Sequence, residues 1–248
     1  MRTLKLTIAY DGTDFAGWQR QATARTVQAS IEDALAPIEG RRVVITGAGR
    51  TDAGVHAAGQ VASVALNAAI STADLRRALN ATLAEDVRVL DIADVPEGFN
   101  ARFDAQCKTY RYSIVCEEVM VPELRRYAWH IGQRLDIDAM NTAAALLVGE
   151  QDFSGFQAAG SDVKTTIRHV LESDVVASGT GAGTALIYRV RGTGFLRHMV
   201  RNIVGTLVDV GRGRRPIDDL QVILASRDRA QASATAPPHG LTLWSVDY

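Results

Sequence analysis

Apolar positions recur along this chain in two rhythms. Leu4, Leu6 and Ile8 alternate with other neighbours up to Tyr10, which predicts a strand over Leu4–Tyr10 ended by the turn residues Asp11-Gly12-Thr13. Val27, Ile31, Leu35 and Ile38 keep a helical spacing and predict a helix over Val27–Ile38, with Thr26 placed to cap it. Further along, Arg42–Thr46, Gln60–Leu66 and Val87–Val95 read as strands, and Thr72–Leu83 reads as a helix capped by Ser71 or Thr72. The second half has similar content. Strands are predicted over Thr109–Val115, Arg168–Ala177, Ala185–Val190 and Leu241–Tyr248, and helices over Ile137–Val148, Leu196–Val210 and Ile217–Ala225. Of these, Leu196–Val210 is amphipathic, with Met199, Val200, Ile203, Val204, Leu207 and Val208 on its apolar side. No low-complexity tract or long linker interrupts the pattern. It predicts an α+β protein of two similar halves, residues 1–104 and 105–248, with mixed, mainly antiparallel sheet and a cleft where they meet.

Composition narrows the class. The 248 residues are 47% apolar and 22% charged, the balance of an ordinary globule able to bury a core. No apolar run reaches the roughly 18 residues a membrane span needs. The opening residues Met1–Leu6 lack the apolar segment and cleavage site of a secretory signal, so a cytoplasmic location is expected. Cys107 and Cys116 have no His or Cys neighbours at ligand spacing, which predicts neither a zinc site nor a disulfide framework.

The net charge of −1 argues against a strongly basic nucleic-acid binder. Its distribution says more. Of the 27 basic residues only Lys5, Lys108 and Lys164 are lysines, a bias that suits phosphate recognition but also follows from a GC-rich genome. Between Val175 and Val208 no acid occurs, while Arg189, Arg191, Arg197 and Arg201 do, and Arg212, Arg214 and Arg215 follow in a Gly-rich loop. A one-sided basic surface is expected, compatible with a folded RNA partner.

The densest chemistry lies in Gly49-Arg50-Thr51-Asp52-Ala53-Gly54-Val55-His56, after the strand predicted over Arg42–Thr46. Gly47-Ala48-Gly49 begins like a dinucleotide fingerprint, but the third glycine would fall at position 52, where Asp would repel a pyrophosphate. No Gly-Lys-Ser/Thr follows, so a nucleotide cofactor is disfavoured. Two readings of Asp52 remain: a solvated turn or cap residue, or a catalytic carboxylate that must stay ionised beside a cation.

The octapeptide is identical to the signature of the tRNA pseudouridine synthase A family, and this chain resembles that family throughout. Tyr10–Gln19 (Tyr-Asp-Gly-Thr-Asp-Phe-Ala-Gly-Trp-Gln) resembles its opening segment. Phe99-Asn100-Ala101-Arg102-Phe103, Lys108-Thr109-Tyr110-Arg111-Tyr112 and Phe195–Asn202 resemble its later motifs, in family order. The resemblance implies the pseudouridine synthase fold, no cofactor, a tRNA substrate, and a homodimer in which one tRNA touches both subunits. It also implies isomerisation of uridine to pseudouridine at positions 38, 39 and 40 of the anticodon stem-loop, with the base flipped out of its stack. Asp52 would be the essential carboxylate, Arg201 its partner across the cleft, and Tyr110 the residue that stacks on the uracil. Arg50 would assist flipping, Arg102 would contact RNA and Leu241 would pack against the base.

On the residues alone a strand tyrosine is more often core, and Tyr110 and Tyr112, which share one strand face, suit either a core or a stacking platform. On the same ground Leu241 reads as plain strand core, and Arg201 as a solvated arginine at the edge of an apolar stripe, the usual place of a helix arginine. By the family resemblance, the loop Gln157–Lys164 falls in an RNA-contacting region that varies within the family; here only Lys164 in it is basic, and Glu117 and Glu118 add acid near the expected RNA side. The alternative from another class is a tRNA-binding or folding module without catalysis, which would need no acid inside a basic cleft.

Overall fold

Alternation becomes burial in β1 (Arg2–Tyr10), whose Leu4, Leu6, Ile8 and Tyr10 face the core while the residues between them stay partly exposed. The computed structural model describes residues 1–160, 163–180 and 183–248; Ser161 and Asp162, in the loop predicted to vary, lie outside the described residues. The chain divides into two compact units, Met1–Gln106 with Thr242–Tyr248, and Cys107–Leu241. The division read from the sequence keeps the closing strand with the second half, whereas in the structure Thr242–Tyr248 belong to the first unit.

In the first unit, α1 (Val27–Glu39) starts where the Thr26 side chain accepts from the Ala29 N–H, and it ends at Gly40 in the left-handed conformation. Val27, Ile31 and Leu35 form its buried stripe. Then come β2 (Thr46–Gly47) and β3 (His56–Leu66), followed by α2 (Thr72–Thr82), capped by the Ser71 side chain, and β4 (Val87–Val95). β1 pairs antiparallel with β3 on one side and β4 on the other, and β2 pairs antiparallel with β3.

The strand predicted over Arg42–Thr46 shrinks to Thr46–Gly47. Val43 and Ile45 are buried as expected, but helix side chains take the backbone bonds that a ladder would use. Ile45 N–H donates to Glu32 (3.1 Å), and Ile45 C=O accepts from Gln28 Nε2 (3.2 Å). Glu32, itself buried, is neutralised by Arg20 at 2.6 Å.

The second unit holds β5 (Cys107–Val115), β6 (Trp129–His130), β7 (Gly149–Asp152), β8 (Ile167–Thr180) and β9 (Gly183–Gly192). β5, β9, β8 and β7 pair in that order, all antiparallel, and β6 adds a short parallel pairing to β5. Its helices are α3 (Ile137–Ala145), α4 (Met199–Gly211) and α5 (Asp219–Ser226). α3 ends before the predicted Val148 because Leu146, Leu147 and Val148 tighten into bonds three residues back. α4 starts later than Leu196 because His198 adopts a left-handed conformation (φ 58°) that breaks the helix path. The last strand, β10 (Leu241–Asp247), returns to the first unit, where Thr242 and Leu243 pair parallel with His56 and Ala57 of β3. The architecture is α+β with mixed, mainly antiparallel pairing, as the sequence pattern predicts.

Tyr10 ties this core to pH. Burial pushes its phenol up to about 12, against the opposing hydrogen bonds of Thr51 and Gln60. The unfolded phenol ionises near pH 10, so above that point the unfolded chain holds fewer protons than the folded one. Tyr10 should therefore remove about 1.4 kcal/mol of stability per pH unit between about pH 10 and 12. Tyr112 and Tyr188, also raised by burial, act in the same direction. Urea midpoints measured across that range should fall; a flat profile would contradict a buried Tyr10.

Candidate active site

The loop carrying Asp52 takes its shape largely from what grips its backbone. The segment Tyr10–Trp18 supplies the grip. Trp18 N–H donates to Thr51 C=O (3.1 Å), Gly54 N–H donates to Phe15 C=O (3.3 Å), and the Tyr10 hydroxyl meets Thr51 Oγ1 at 2.8 Å. Gly17, at φ 98°, lies so close that an added Cβ would come 2.6 Å from Thr51 O. Gly12 approaches as closely, and its N–H donates to His56 Nδ1 (3.0 Å), so the buried His56 ring acts as a strut at the far end of the loop. On the near side the Trp18 indole lies against Gly47, and Gln60 Nε2 donates to Gly49 C=O (2.9 Å). Asp52 is left half-buried between a buried Thr51 and an exposed Ala53, while Arg50 is exposed. Two motifs read separately in the sequence, Tyr10–Gln19 and Gly49–His56, are thus one packed object.

In the second unit, β5 presents Tyr110 and Tyr112 on the same buried face. The Tyr110 ring meets Phe195 edge-on, with centroids 5.0 Å apart. Tyr112 donates its hydroxyl proton to Pro237 C=O (2.8 Å), and Gly240 leaves no room for a Cβ beside its ring. Burial holds the Tyr112 phenol far above its usual range, although the charge of Arg201 opposes it. Arg201 itself donates from Nε to Ala236 C=O (2.8 Å), while Ala236 N–H donates back to Arg201 C=O (3.1 Å). Tyr112, Arg201 and the strap Ala232–Leu241 therefore form one assembly, with Leu241 buried at its end. Removing the hydroxyl by Tyr112→Phe should cost about 1 kcal/mol in urea unfolding, because Pro237 C=O loses its donor.

The strap also explains why α4 is buried nearly all round, where the sequence predicts one apolar side. Met199, Val200, Ile203, Val204, Leu207 and Val208 are core, and Asn202, Gly205 and Thr206 are buried as well. Asn202 accepts from Thr235 (2.7 Å) and Arg229 (3.0 Å) and donates to Phe156 C=O (2.7 Å). Ser233 N–H donates to Thr206 (3.3 Å). Burial lowers the pKa of Arg229. Nothing in the local sequence marks Arg229, Thr235 or Tyr112 as supports for Arg201, since their partners are remote in sequence.

The acid-free arginine interval does not translate into free positive charge. Arg189 pairs with Asp174 (2.9 Å) and Arg191 with Glu172 (3.4 Å) across β8 and β9. Arg212 and Arg214 lie 3.7 Å from Asp209, and Arg215 lies 2.9 Å from Asp219. Arg197 instead donates to the carbonyls of Ala159 and Gly160, which ties down one end of the loop predicted over Gln157–Lys164. In the first unit Arg102 is exposed on a separate turn, its guanidinium over the Phe103 ring. Cavities of about 470 and 460 Å³ lie in the first and second units, and none of the candidate residues lines either. Among the described residues no helix is long and apolar enough to cross a membrane. Among them, too, no cluster of His, Cys, Asp and Glu could hold a metal ion.

Sequence comparison shows the class to which these mainly antiparallel α+β units belong. The chain belongs to the tRNA pseudouridine synthase family, whose model matches residues 6–104 and 143–248. It is 43% identical over 249 residues to the tRNA pseudouridine synthase A of Geobacter sp. (strain M21), covering 100% of this chain and 99% of that protein. It is 46% identical over 253 residues to the protein of that name from Solidesulfovibrio magneticus, covering 100% of this chain and 92% of that one. For the namesake from Methylacidiphilum infernorum the figures are 45% over 245 residues, with 98% and 94% covered.

Proposed function

We propose that the protein isomerises uridine to pseudouridine at positions 38, 39 and 40 in the anticodon stem-loop of tRNA, with Asp52 as the essential carboxylate. One observation carries the reading: in a chain of this family, the Gly49–His56 loop offers a carboxylate on backbone gripped from both sides. The reaction breaks the N1–C1′ bond, turns the uracil while it is held, and joins C5 to C1′; C5 loses its proton and N1 gains one, so substrate and product are isomers. An anionic oxygen can serve it by attack at C1′, by addition to the base or by taking the C2′ proton. Each route needs the carboxylate fixed in place and water kept away.

On this reading Tyr110 stacks on the extruded uracil, and its edge contact with Phe195 supports a fixed ring orientation. Arg201 keeps Asp52 ionised, and its bond to Ala236 limits the positions its guanidinium can take. Leu241 packs against the base, Arg50 aids flipping, and Arg102 contacts RNA. Two copies of the chain act together in the cytoplasm, without a cofactor.

The test uses tRNA carrying tritium at uracil C5. Release of tritium requires a new bond at C5, so release by the protein supports the reading. Binding of tRNA without release would instead assign the protein to RNA binding alone. Primer-extension mapping after carbodiimide treatment locates the product; modification outside positions 38–40 would overturn the site assignment.

A further inference from the structure

Phe103 is 77% exposed, yet it stands on a turn held by several hydrogen bonds. Asn100 Oδ1 accepts from the N–H groups of Arg102 (2.9 Å) and Phe103 (3.2 Å), and the Asp104 carboxylate accepts from Asn100 N–H (2.8 Å). Ala101, fully buried, anchors the turn from beneath. Its N–H donates to Ser63 Oγ (3.1 Å), and its C=O accepts the Tyr248 hydroxyl (2.7 Å). Phe99, Val246 and Tyr248 pack around it with Ala48 and Val61. The apolar ring of Phe103 is therefore left outside a cluster that takes in its neighbours on the same turn.

Two cations flank aromatic rings here. The Arg102 guanidinium lies 5.5 Å from the Phe103 centroid, and Lys5 Nζ lies 5.6 Å from the Tyr248 centroid. Lys5 is opposite Ser63 in the β1–β3 register, and Ser63 holds Ala101, so both pairs belong to one surface. One acid of the turn, Asp104, accepts from Asn100 N–H. An exposed ring carried on a hydrogen-bonded turn, beside a guanidinium, suits a nucleobase: the ring offers a face, and the cation offers stacking and phosphate contact. Bases within a helix have both faces covered by neighbours, so the ring selects an unpaired one.

We infer that Phe103, backed by Arg102, is a stacking contact for an unpaired base of the bound tRNA. The inference rests on tRNA being the substrate, and it adds a contact that is separate from Asp52, Tyr110 and Arg201.

The test is titration of fluorescein-labelled tRNA with wild type, Phe103→Leu and Phe103→Trp, followed by anisotropy at several salt concentrations. Leucine keeps the apolar bulk but removes the aromatic face, and should weaken binding about tenfold. Tryptophan should restore it. The slope of log Kd against log salt should be unchanged by Phe103→Leu and reduced by about one by Arg102→Gln. In turnover, the loss from Phe103→Leu should fall on KM rather than kcat. Wild-type affinity in Phe103→Leu, or equal weakening in Phe103→Trp, overturns the inference. Changed sedimentation of Phe103→Leu without tRNA also overturns it, since that assigns the ring to a contact between copies. Absence of tritium release by wild type would defeat the proposed reaction instead, and the binding comparison would still judge this contact.

Discussion

Asp52→Asn is expected to reduce tritium release from C5-labelled tRNA by at least about 10³-fold while leaving tRNA binding in place. The amide matches the carboxylate in shape but can neither attack as an anion nor take a proton, so every route open to Asp52 closes at once. The loop is held through Thr51 C=O, Gly54 N–H, Gly12 and His56, none of which the substitution alters. Unfolding midpoints should therefore stay close to wild type. A variant that keeps its turnover would remove the carboxylate from the mechanism, and one that unfolds would show that Asp52 is structural.

The second large effect is expected at Gly205, in the middle of α4. On helix propensity alone Gly205→Ala should stabilise by about 1 kcal/mol. Packing opposes it: the new Cβ would come 2.0 Å from Ala234 O, a backbone atom of the strap. Either the helix or the strap must move, and the Ser233–Thr206, Thr235–Asn202 and Ala236–Arg201 bonds lie along that line. The clash should win, with a net loss of about 2–3 kcal/mol in urea unfolding, the upper range for overpacking. Because Ala236 holds Arg201, turnover should fall even where the variant remains folded, and the defect should fall on kcat. Unchanged stability would mean that the strap yields freely, and it would weaken the case that it positions Arg201.

The elements legible in the sequence are those whose causes are local. Thr26 and Ser71 cap the helices they precede, and the alternation of β1 emerges as burial. The misses share a different cause. Arg42–Ile45 has strand composition, but Glu32 and Gln28 of α1 take its hydrogen bonds. Leu196–His198 fits the helical period, but His198 turns left-handed. The arginine interval lacks acids in sequence, yet Asp174 and Glu172 reach it from the next strand, 15 and 19 residues away. Of the candidate site, Asp52 stands in a motif legible in the sequence, and Arg201 is marked only by the family resemblance. The Tyr10–Trp18 clamp and the Tyr112–Pro237 bond join segments far apart along the chain, where periodicity carries no signal.

The pairing of β10 with β3 bears on how the protein is made. The strand that leaves the Asp52 loop gains its parallel neighbour from Thr242 and Leu243, and Tyr248 closes onto Ala101 from 147 residues away. The first unit therefore cannot finish folding when its own first 106 residues leave the ribosome; it must wait for the whole second unit to be synthesised. Contacts of such long range slow folding and leave a sheet edge unpaired meanwhile. A nascent chain stalled before Thr242 should carry its carboxylate loop on an incomplete platform, so competence for chemistry arrives only with the final strand.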